Sequence, residues 1–152
     1  MPEIKSAFLF DVDIAIAGFQ DIGTTPRGQR RIAQIAGGSF AGPRAKGQVL
    51  PGGGDWIVLR HDEVLQLDVR LTLKTDDGAL IYMTYAGLRH GPKEVIDRLN
   101  RGEAVDPASY YFRTTPYFET GAADYAWLNK ICAVGIGDRR ATGPRYSVFE
   151  IL

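Results

Sequence analysis

The sequence predicts a mostly β protein: a single antiparallel β-barrel domain covering residues 1–152, with one short helix. Three observations predict this fold class. About eight to ten short segments have strand character, turn residues separate most of them, and a single segment has a helical pattern. The strand–helix alternation of a nucleotide-binding α/β domain is missing.

The composition excludes several classes of function. Eighteen basic and eighteen acidic residues cancel, so the chain has no broad electrostatic attraction to nucleic acid or to an anionic membrane. One cysteine excludes an internal disulfide. No apolar run approaches the ~20 residues of a membrane helix, and no signal peptide opens the chain. We therefore expect a cytoplasmic protein without nucleic-acid or membrane partners.

The N-terminal third has a strand pattern. In residues 7–17, apolar side chains alternate with two aspartates. Residues 22–28 contain Pro and Gly and predict a turn. Residues 30–38 favour a strand with a bulge over a short helix, because glycines follow them.

A glycine-rich break divides the next strand pattern. Residues 47–50 predict a short strand, and residues 55–60 resume it. Two-residue alternation puts Asp55 and Ile57 on one face of this strand and Trp56 on the other.

The clearest pattern is a long β-hairpin at residues 67–87. Four apolar residues alternate with polar ones in its first strand, and Asp77-Gly78 supplies the favoured two-residue turn. Asp68 and Arg70 stand on the same face. That face either points at water or lines an internal pocket.

The helix is predicted at residues 91–102, where Pro92 suits the start and Gly102 the end. An apolar stripe gives it one buried face. The remaining strand candidates are residues 109–115, 117–120, 126–136 and 145–152.

Motifs for cofactors and metals are missing. None of the glycine-rich segments has the spacing of a phosphate loop or of the dinucleotide fingerprint. Two histidines and one cysteine leave little for a zinc site, and there is no GxSxG nucleophile elbow. We expect no cofactor and no metal.

Polar residues within the strand patterns are the candidate site residues. They are Asp55, Asp68 and Glu119 for catalysis, and Arg70, Arg113 and Asn129 for ligand binding, with aromatic surface from Trp56, Tyr82 and Trp127. Alternation alone leaves inward or outward placement open. The aromatic residues nearby favour an inward placement in a concave small-molecule site. An aspartate in such a site would need an arginine partner. A further basic cluster, Arg27, Arg30 and Arg31, is either solvated or an anion clamp.

Three blocks resemble the bacterial family known as domain of unknown function 3237, also called uncharacterised protein family 0311. The blocks are GGSFAGPRAKGQVLPGGGDW (37–56), LDVRLTLKTDDGALIY (67–82) and YYFRTTPYFETGAADYAWLN (110–129). The resemblance covers nearly the whole chain and implies one β-barrel with a short helix, similar to calycin and allene-oxide-cyclase barrels. It implies no particular reaction. The motif positions carried over are Gly38, Asp55, Trp56, Asp68, Arg70, Asp77, Gly78, Arg113, Thr114, Glu119, Trp127 and Asn129.

Two functions of different classes fit these residues. The first is a cofactor-independent lyase or isomerase that acts on a small carbonyl or aromatic metabolite. Arg70 or Arg113 would hold an oxyanion, and a carboxyl group whose pKa burial raises would move a proton. The alternative is a non-catalytic binding protein for a hydrophobic or aromatic metabolite. A weaker third hypothesis is an assembly subunit, a homodimer packed through the aromatic residues 110–118.

Overall fold

The computed structural model describes residues 1–152 as nine strands, one α-helix and two short 3-10 helices. The strands are β1 (Ser6–Thr25), β2 (Gly28–Ala41), β3 (Lys46–Val49), β4 (Gly54–Leu59), β5 (Leu65–Thr75), β6 (Leu80–His90), β7 (Tyr111–Glu119), β8 (Ala133–Arg140) and β9 (Gly143–Ile151). The α-helix is α1 (Lys93–Asn100), and the 3-10 helices are Pro107–Ser109 and Ala123–Lys130. The predicted dominance of β structure is confirmed.

The strands form one antiparallel sheet that closes into a ring of eight. Its order is β1-β9-β8-β7-β6-β5, and β3 and β4 together fill the place between β5 and β2. Pairing of β2 with β1 completes the circle. A closed ring has no free edge, so each strand residue points either to the interior or to the outside.

The interior is filled with apolar side chains toward one end. Phe10 lies there with its ring centroid 5.4 Å from that of Phe40 and 5.7 Å from that of Phe118, in edge-to-face geometry. Leu71 and Leu73 of β5 are buried in the same cluster. The predicted alternation of the hairpin is present, and its alternate leucines and valine, not its charged residues, face this core.

The β1–β2 pair contains the predicted bulge and extends further than expected. The pairing register shifts three times between residues 15 and 23 of β1, and β1 continues to Thr25. The turn expected at residues 22–28 is therefore reduced to Pro26 and Arg27. Ladder hydrogen bonds to β2 extend the strand through residues whose Pro- and Gly-containing sequence predicted a turn.

The helix prediction is confirmed. Pro92 immediately precedes α1, and Gly102 follows it with φ of +78°. Leu99 is fully buried, and Val95 and Ile96 pack against the core. No helix of the protein is both long enough and apolar enough to cross a membrane.

The strand predicted at residues 126–136 is wrong in its first half. Residues 123–130 form a 3-10 helix, and β8 begins only at Ala133. The Asn129 side chain occupies both backbone polar groups of Thr120, accepting from its N–H at 2.8 Å and donating to its C=O at 2.9 Å. These bonds stabilise a compact turn where the aromatic residues suggested a strand.

We expect Gly38→Ala to destabilise the fold by roughly 2–4 kcal/mol. Gly38 has φ of +148°, and an added Cβ would lie 1.9 Å from the carbonyl oxygen of Asp13. Gly121→Ala is the matched control, since its Cβ would meet nothing within 4 Å. Urea denaturation measures both, and equal midpoints for the two variants would contradict the argument.

Asp77→Ala is expected to lower the melting temperature by a few degrees. The Asp77 carboxylate accepts hydrogen bonds from Thr75 and, at 3.0 Å, from the Tyr125 hydroxyl, which ties the hairpin turn to the 3-10 helix. The control is Asp76→Ala, because the side chain of Asp76 makes no hydrogen bond. The same loss in both variants would show that these bonds do not stabilise the turn.

Candidate functional site

A cavity of about 530 Å³ occupies the other end of the ring. Its wall comes from residues 15–19 of β1, the inner faces of β2, β4, β5, β6, β7 and β9, Asn100 at the end of α1, and residues 139–144 at the β8–β9 hairpin. The volume lies within the range of small-molecule sites. Apolar side chains form much of the wall, namely Ile16, Ile57, Leu65, Leu67 and Phe112.

Asp55 is the one carboxyl group that lines this cavity. It lies on β4 on the same face as Ile57, as alternation predicts, and is only 7% exposed. Pairing of β4 with β5 is interrupted between Asp55↔Val69 and Val58↔Gln66. In that gap the Asp55 carboxylate accepts a hydrogen bond from the backbone N–H of Asp68 at 3.1 Å.

Burial raises the pKa of Asp55 from 3.8 to about 7. The hydrogen bond from Asp68 and the charge of Arg89 oppose this rise, but desolvation outweighs them. At neutral pH the carboxyl group is therefore present in both protonation states. A group in that condition can either accept or donate a proton.

Two buried tyrosines lie beside Asp55. The ring centroids of Tyr85 and Tyr146 are 5.1 Å apart, edge to face. Burial raises the pKa of both hydroxyls, and the charge of Asp55 acts in the same direction on each. The two hydroxyls lie near enough for each to shift the pKa of the other, but the hydroxyl of Tyr146 is the one buried side-chain polar atom that makes no hydrogen bond of good geometry. Such an unused donor is costly in a folded interior unless a ligand or water satisfies it.

Three arginines of the cavity have no carboxylate partner. Arg89 of β6 makes neither a hydrogen bond nor an ion pair, and its guanidinium lies 5.9 Å from the ring centroid of Phe112. The guanidinium of Arg139 donates to the carbonyl oxygen of Leu99 at 3.1 Å. Arg31 is exposed and lies 4.6 Å above the ring of Phe19. This end of the ring of strands therefore carries an excess of positive charge.

The predicted inward placement of Asp68, Arg70 and Trp56 is wrong. Asp68 and Arg70 are exposed on the outer face of β5, because the apolar alternate residues occupy the inner face. Arg70 lies 5.2 Å from the ring of Trp56, which is also on the outside. There Trp56 and Asp68 line a shallow pocket with Arg30, whose guanidinium donates to the Trp56 carbonyl oxygen at 2.9 Å.

Tyr82, Glu119 and Arg113 also point outward. Tyr82 and Glu119 are paired across β6 and β7, and both are exposed. Arg113 is half-buried, and its guanidinium donates to the carbonyl oxygen of the preceding Phe112 at 3.0 Å and lies 5.2 Å from the ring of Tyr111. The aromatic side chains on the inner face of β7 leave only the outside for these polar residues.

Trp127 and Asn129 lie on the 3-10 helix and do not line the cavity. Trp127 packs under Arg44, whose guanidinium is 3.5 Å from the ring centroid. The side chain of Asn129 is hydrogen-bonded to the backbone of Thr120. Of the nine candidate site residues, the cavity contains Asp55 alone.

Sequence reasoning missed Arg89, Arg139 and Tyr146. The signal for Arg89 was available, because it continues the inward alternation of Met83 and Tyr85 along β6. Arg31 belonged to the basic cluster considered as an anion clamp. The structure divides that cluster: Arg31 faces the cavity, and its neighbours Arg27 and Arg30 line the outer pocket.

The profile of the family described as "Protein of unknown function (DUF3237)" matches residues 2–151. The chain belongs to this family. A UPF0311 protein of Rhodopseudomonas palustris is 38% identical over 151 residues, which is 99% of each chain. A crystal structure of a conserved protein of unknown function from Rhodopseudomonas palustris covers 100% of this chain and 99% of its own, with a TM-score of 0.93 and 38% identity.

Two other solved structures share the fold of this DUF3237 chain. A "beta-barrel like protein" of Acinetobacter baumannii AYE has a TM-score of 0.87 and 38% identity, and covers 100% of this chain and 98% of its own. An enzyme from Penicillium herquei has a TM-score of 0.76 and covers 100% of this chain and 98% of its own, but has only 21% identity. This last likeness concerns the fold alone.

The cavity of the DUF3237 chain thus combines a carboxyl group that titrates near neutrality, an unpaired tyrosine hydroxyl and unpaired arginines against apolar walls. Nowhere do three or more His, Cys, Asp or Glu side chains come together as a possible metal site. The arrangement can bind a small organic molecule, neutralise negative charge on it, and exchange a proton with it.

Asp55 should make the stability of this DUF3237 protein fall as pH rises from about 4 to about 7. In that window the folded chain keeps a proton on Asp55 that the unfolded chain has lost. The difference between 3.8 and about 7 corresponds to on the order of 4 kcal/mol as an upper bound. Asp55→Asn keeps an oxygen that can accept the hydrogen bond from the Asp68 N–H, and the stability of this variant should not show the same fall with rising pH.

Thermal unfolding of both proteins across this pH range measures the effect. The difference between the two curves isolates Asp55 from all other titrating groups. Parallel curves would mean that Asp55 titrates in the ordinary aspartate range.

Proposed function

We propose that this protein binds a small carbonyl or aromatic metabolite in the cavity and transfers a proton on it, as a cofactor-independent lyase or isomerase. The observation that carries the proposal is the position of Asp55, the only cavity carboxyl group, buried beside the unpaired Tyr146 hydroxyl. The pKa of about 7 supports it, because a general acid–base group works best near the ambient pH.

In the proposed reaction the ionised Asp55 removes a proton from carbon next to a carbonyl group. The electron pair moves onto the carbonyl oxygen, and the resulting enolate is stabilised by a hydrogen bond from Tyr146 and by nearby arginine charge. Protonated Asp55 then returns the proton to another carbon, or to a leaving group. The apolar walls formed by Ile57 and Leu67 exclude water and strengthen these interactions.

The proposal extends to the type of fold that encloses the cavity. We propose that the ring is a β-barrel similar to the calycin and allene-oxide-cyclase barrels. Closure of the sheet through β1–β2 pairing supports it, as does the beta-barrel like relative of Acinetobacter baumannii. A barrel that is packed at one end and hollow at the other suits an enclosed site, and the enzyme from Penicillium herquei has the same fold.

A non-catalytic binding protein for a hydrophobic or aromatic metabolite is the second candidate. One observation favours it: Asp55 already has a structural task, because its carboxylate satisfies the Asp68 amide in the gap between β4 and β5. The same cavity would then hold its ligand without turnover.

We also propose a homodimer and a cytoplasmic location. Exposed Tyr111 and Tyr117 on β7 are the surface that supports a homodimer. The free, exposed Cys132 supports a cytoplasmic location, where thiols remain reduced.

Proton exchange in D₂O tests the proposed reaction. We expect wild-type protein to exchange the protons next to the carbonyl group in at least one member of a panel of small aryl ketones and 2-oxo acids. Asp55→Asn should lower that rate by about a hundredfold or more, since the base is lost. Asp76→Asn, which changes an exposed turn carboxylate, is the control and should exchange normally. NMR follows the loss of signal.

Other results would contradict the proposal in different ways. Binding of panel members without exchange by any variant would support the binding protein instead. Exchange that survives Asp55→Asn but is lost in Asp68→Asn would place the chemistry in the outer pocket with Trp56.

A further inference from the structure

We propose that the molecule bound in this cavity carries a carboxylate, which Arg89 holds together with Arg31 and Arg139, separated by an apolar spacer from the group that faces Asp55. The inference deepens the proposed function and rests on it for the role of Asp55. Two observations support the carboxylate site independently: the charge of the arginines that line the cavity, and the strand register that sets their position relative to Asp55.

The cavity concentrates three arginines that form no ion pair, and the ionised form of Asp55 is the one negative charge of the cavity wall that acts on Arg89. Arg140 at the edge is paired with Asp138 at 2.9 Å, but Arg31, Arg89 and Arg139 have no carboxylate partner. Burial lowers the pKa of Arg89, and the charges of Arg139 and Arg31 lower it further, so these charges lie within electrostatic reach of one another. An anion would relieve this repulsion.

Arginine chemistry favours a carboxylate as that anion. The planar guanidinium group of Arg89 has all of its donors free and matches the two oxygens of a carboxylate. No lysine lines the cavity. The apolar walls formed by Leu65 and Phe112 adjoin the arginines, which suits a single negative charge on an otherwise apolar body.

The strand register separates the arginines from Asp55 along the ring. Val69 of β5 pairs with both Asp55 and Tyr85, so these residues share one level. Arg89 pairs with Leu65, four residues beyond Tyr85 on β6, which is roughly 13 Å along the strand.

Arg31 is displaced in the same direction. It pairs with Ile57, and Ala33 pairs with Asp55. Ile57 and Leu67 line the cavity between the two levels, and these apolar side chains suit a spacer such as an aromatic ring.

These distances select the probe 4-acetylbenzoate, which has a carboxylate at one end of an aromatic ring and exchangeable ketone protons at the other. Its neutral analogue, 4-acetylbenzamide, has the same shape without the charge. Calorimetric titration of wild-type protein should give a dissociation constant for the carboxylate that is lower than that for the amide by about tenfold or more.

Variants locate the source of that preference. Arg89→Met should bring the affinities for the carboxylate and the amide close to equality, and Arg89→Lys should keep part of the difference. Arg60→Met is the control, because Arg60 is exposed outside the cavity and already paired with Asp62. If Arg89→Met does not fold, Arg31→Met provides the same comparison, with a smaller expected loss.

Three results would overturn the inference: equal affinity of the wild type for carboxylate and amide, a preference that survives Arg89→Met, or no binding of either compound. Inorganic phosphate that competes as tightly as 4-acetylbenzoate would also overturn it, since the site would then be a general anion site.

The test separates this inference from the proposed reaction. Preferential binding of 4-acetylbenzoate without proton exchange would support the carboxylate site and contradict the proposed proton transfer. Equal rates of proton exchange on 4-acetylbenzoate and 4-acetylbenzamide would support the proton transfer and contradict the carboxylate site. Asp55→Asn should keep the carboxylate preference, because Asp55 lies at the other level of the cavity.

Discussion

Closure of the sheet determines where every other group in this protein can lie. Because β1 pairs with both β2 and β9, and β5 pairs on one side with β3 and β4, every strand has a partner on each side. Side chains then alternate between the interior and the surroundings, except at the bulges of β1. The interior has room for apolar packing around Phe10 and Leu73, and the one buried carboxyl group, that of Asp55, lies at the hollow end.

The hollow end combines features that are each unfavourable for stability. A carboxyl group is buried at Asp55, a hydroxyl at Tyr146 has no partner, and Arg89 lies half-buried without a counter-ion. Each would be easier to accommodate on the outside. Their concentration in one cavity, while the opposite end is conventionally packed, supports the proposed ligand-binding or catalytic site.

The sequence predicted the fold class, the hairpin, the helix and the inward direction of Asp55, because each depends on local alternation or turn chemistry. It did not predict that Asp68 and Arg70 would face outward. Their strand pattern was compatible with both directions, and the aromatic residue that favoured the interior, Trp56, is itself on the outside. Only the pairing of β4 with β5 decides this, and pairing between strands is not a local property.

The arginines were harder to predict for a different reason. Arg31, Arg89 and Arg139 come from three distant parts of the chain, and each looks like an ordinary surface charge in its own segment. Closure of the ring brings them together. Residues 126–136 show the opposite error, since an aromatic segment of strand-like composition became a 3-10 helix through side-chain bonds to its neighbours.

Two of the three register shifts between β1 and β2 lie at residues 15–18, where β1 lines the cavity, and the β1–β2 pairing from Asp11 to Ala15 is regular. One further shift, against β9, lies between Phe8 and Phe10 in the packed core. Insertion or removal of a single residue in such a stretch changes which side chains project inward there and leaves Phe10 and its neighbours in place. The shape of the cavity and the integrity of the core are therefore separable. Changes of length in this one strand would give related proteins cavities of different shape without rebuilding the rest of the molecule.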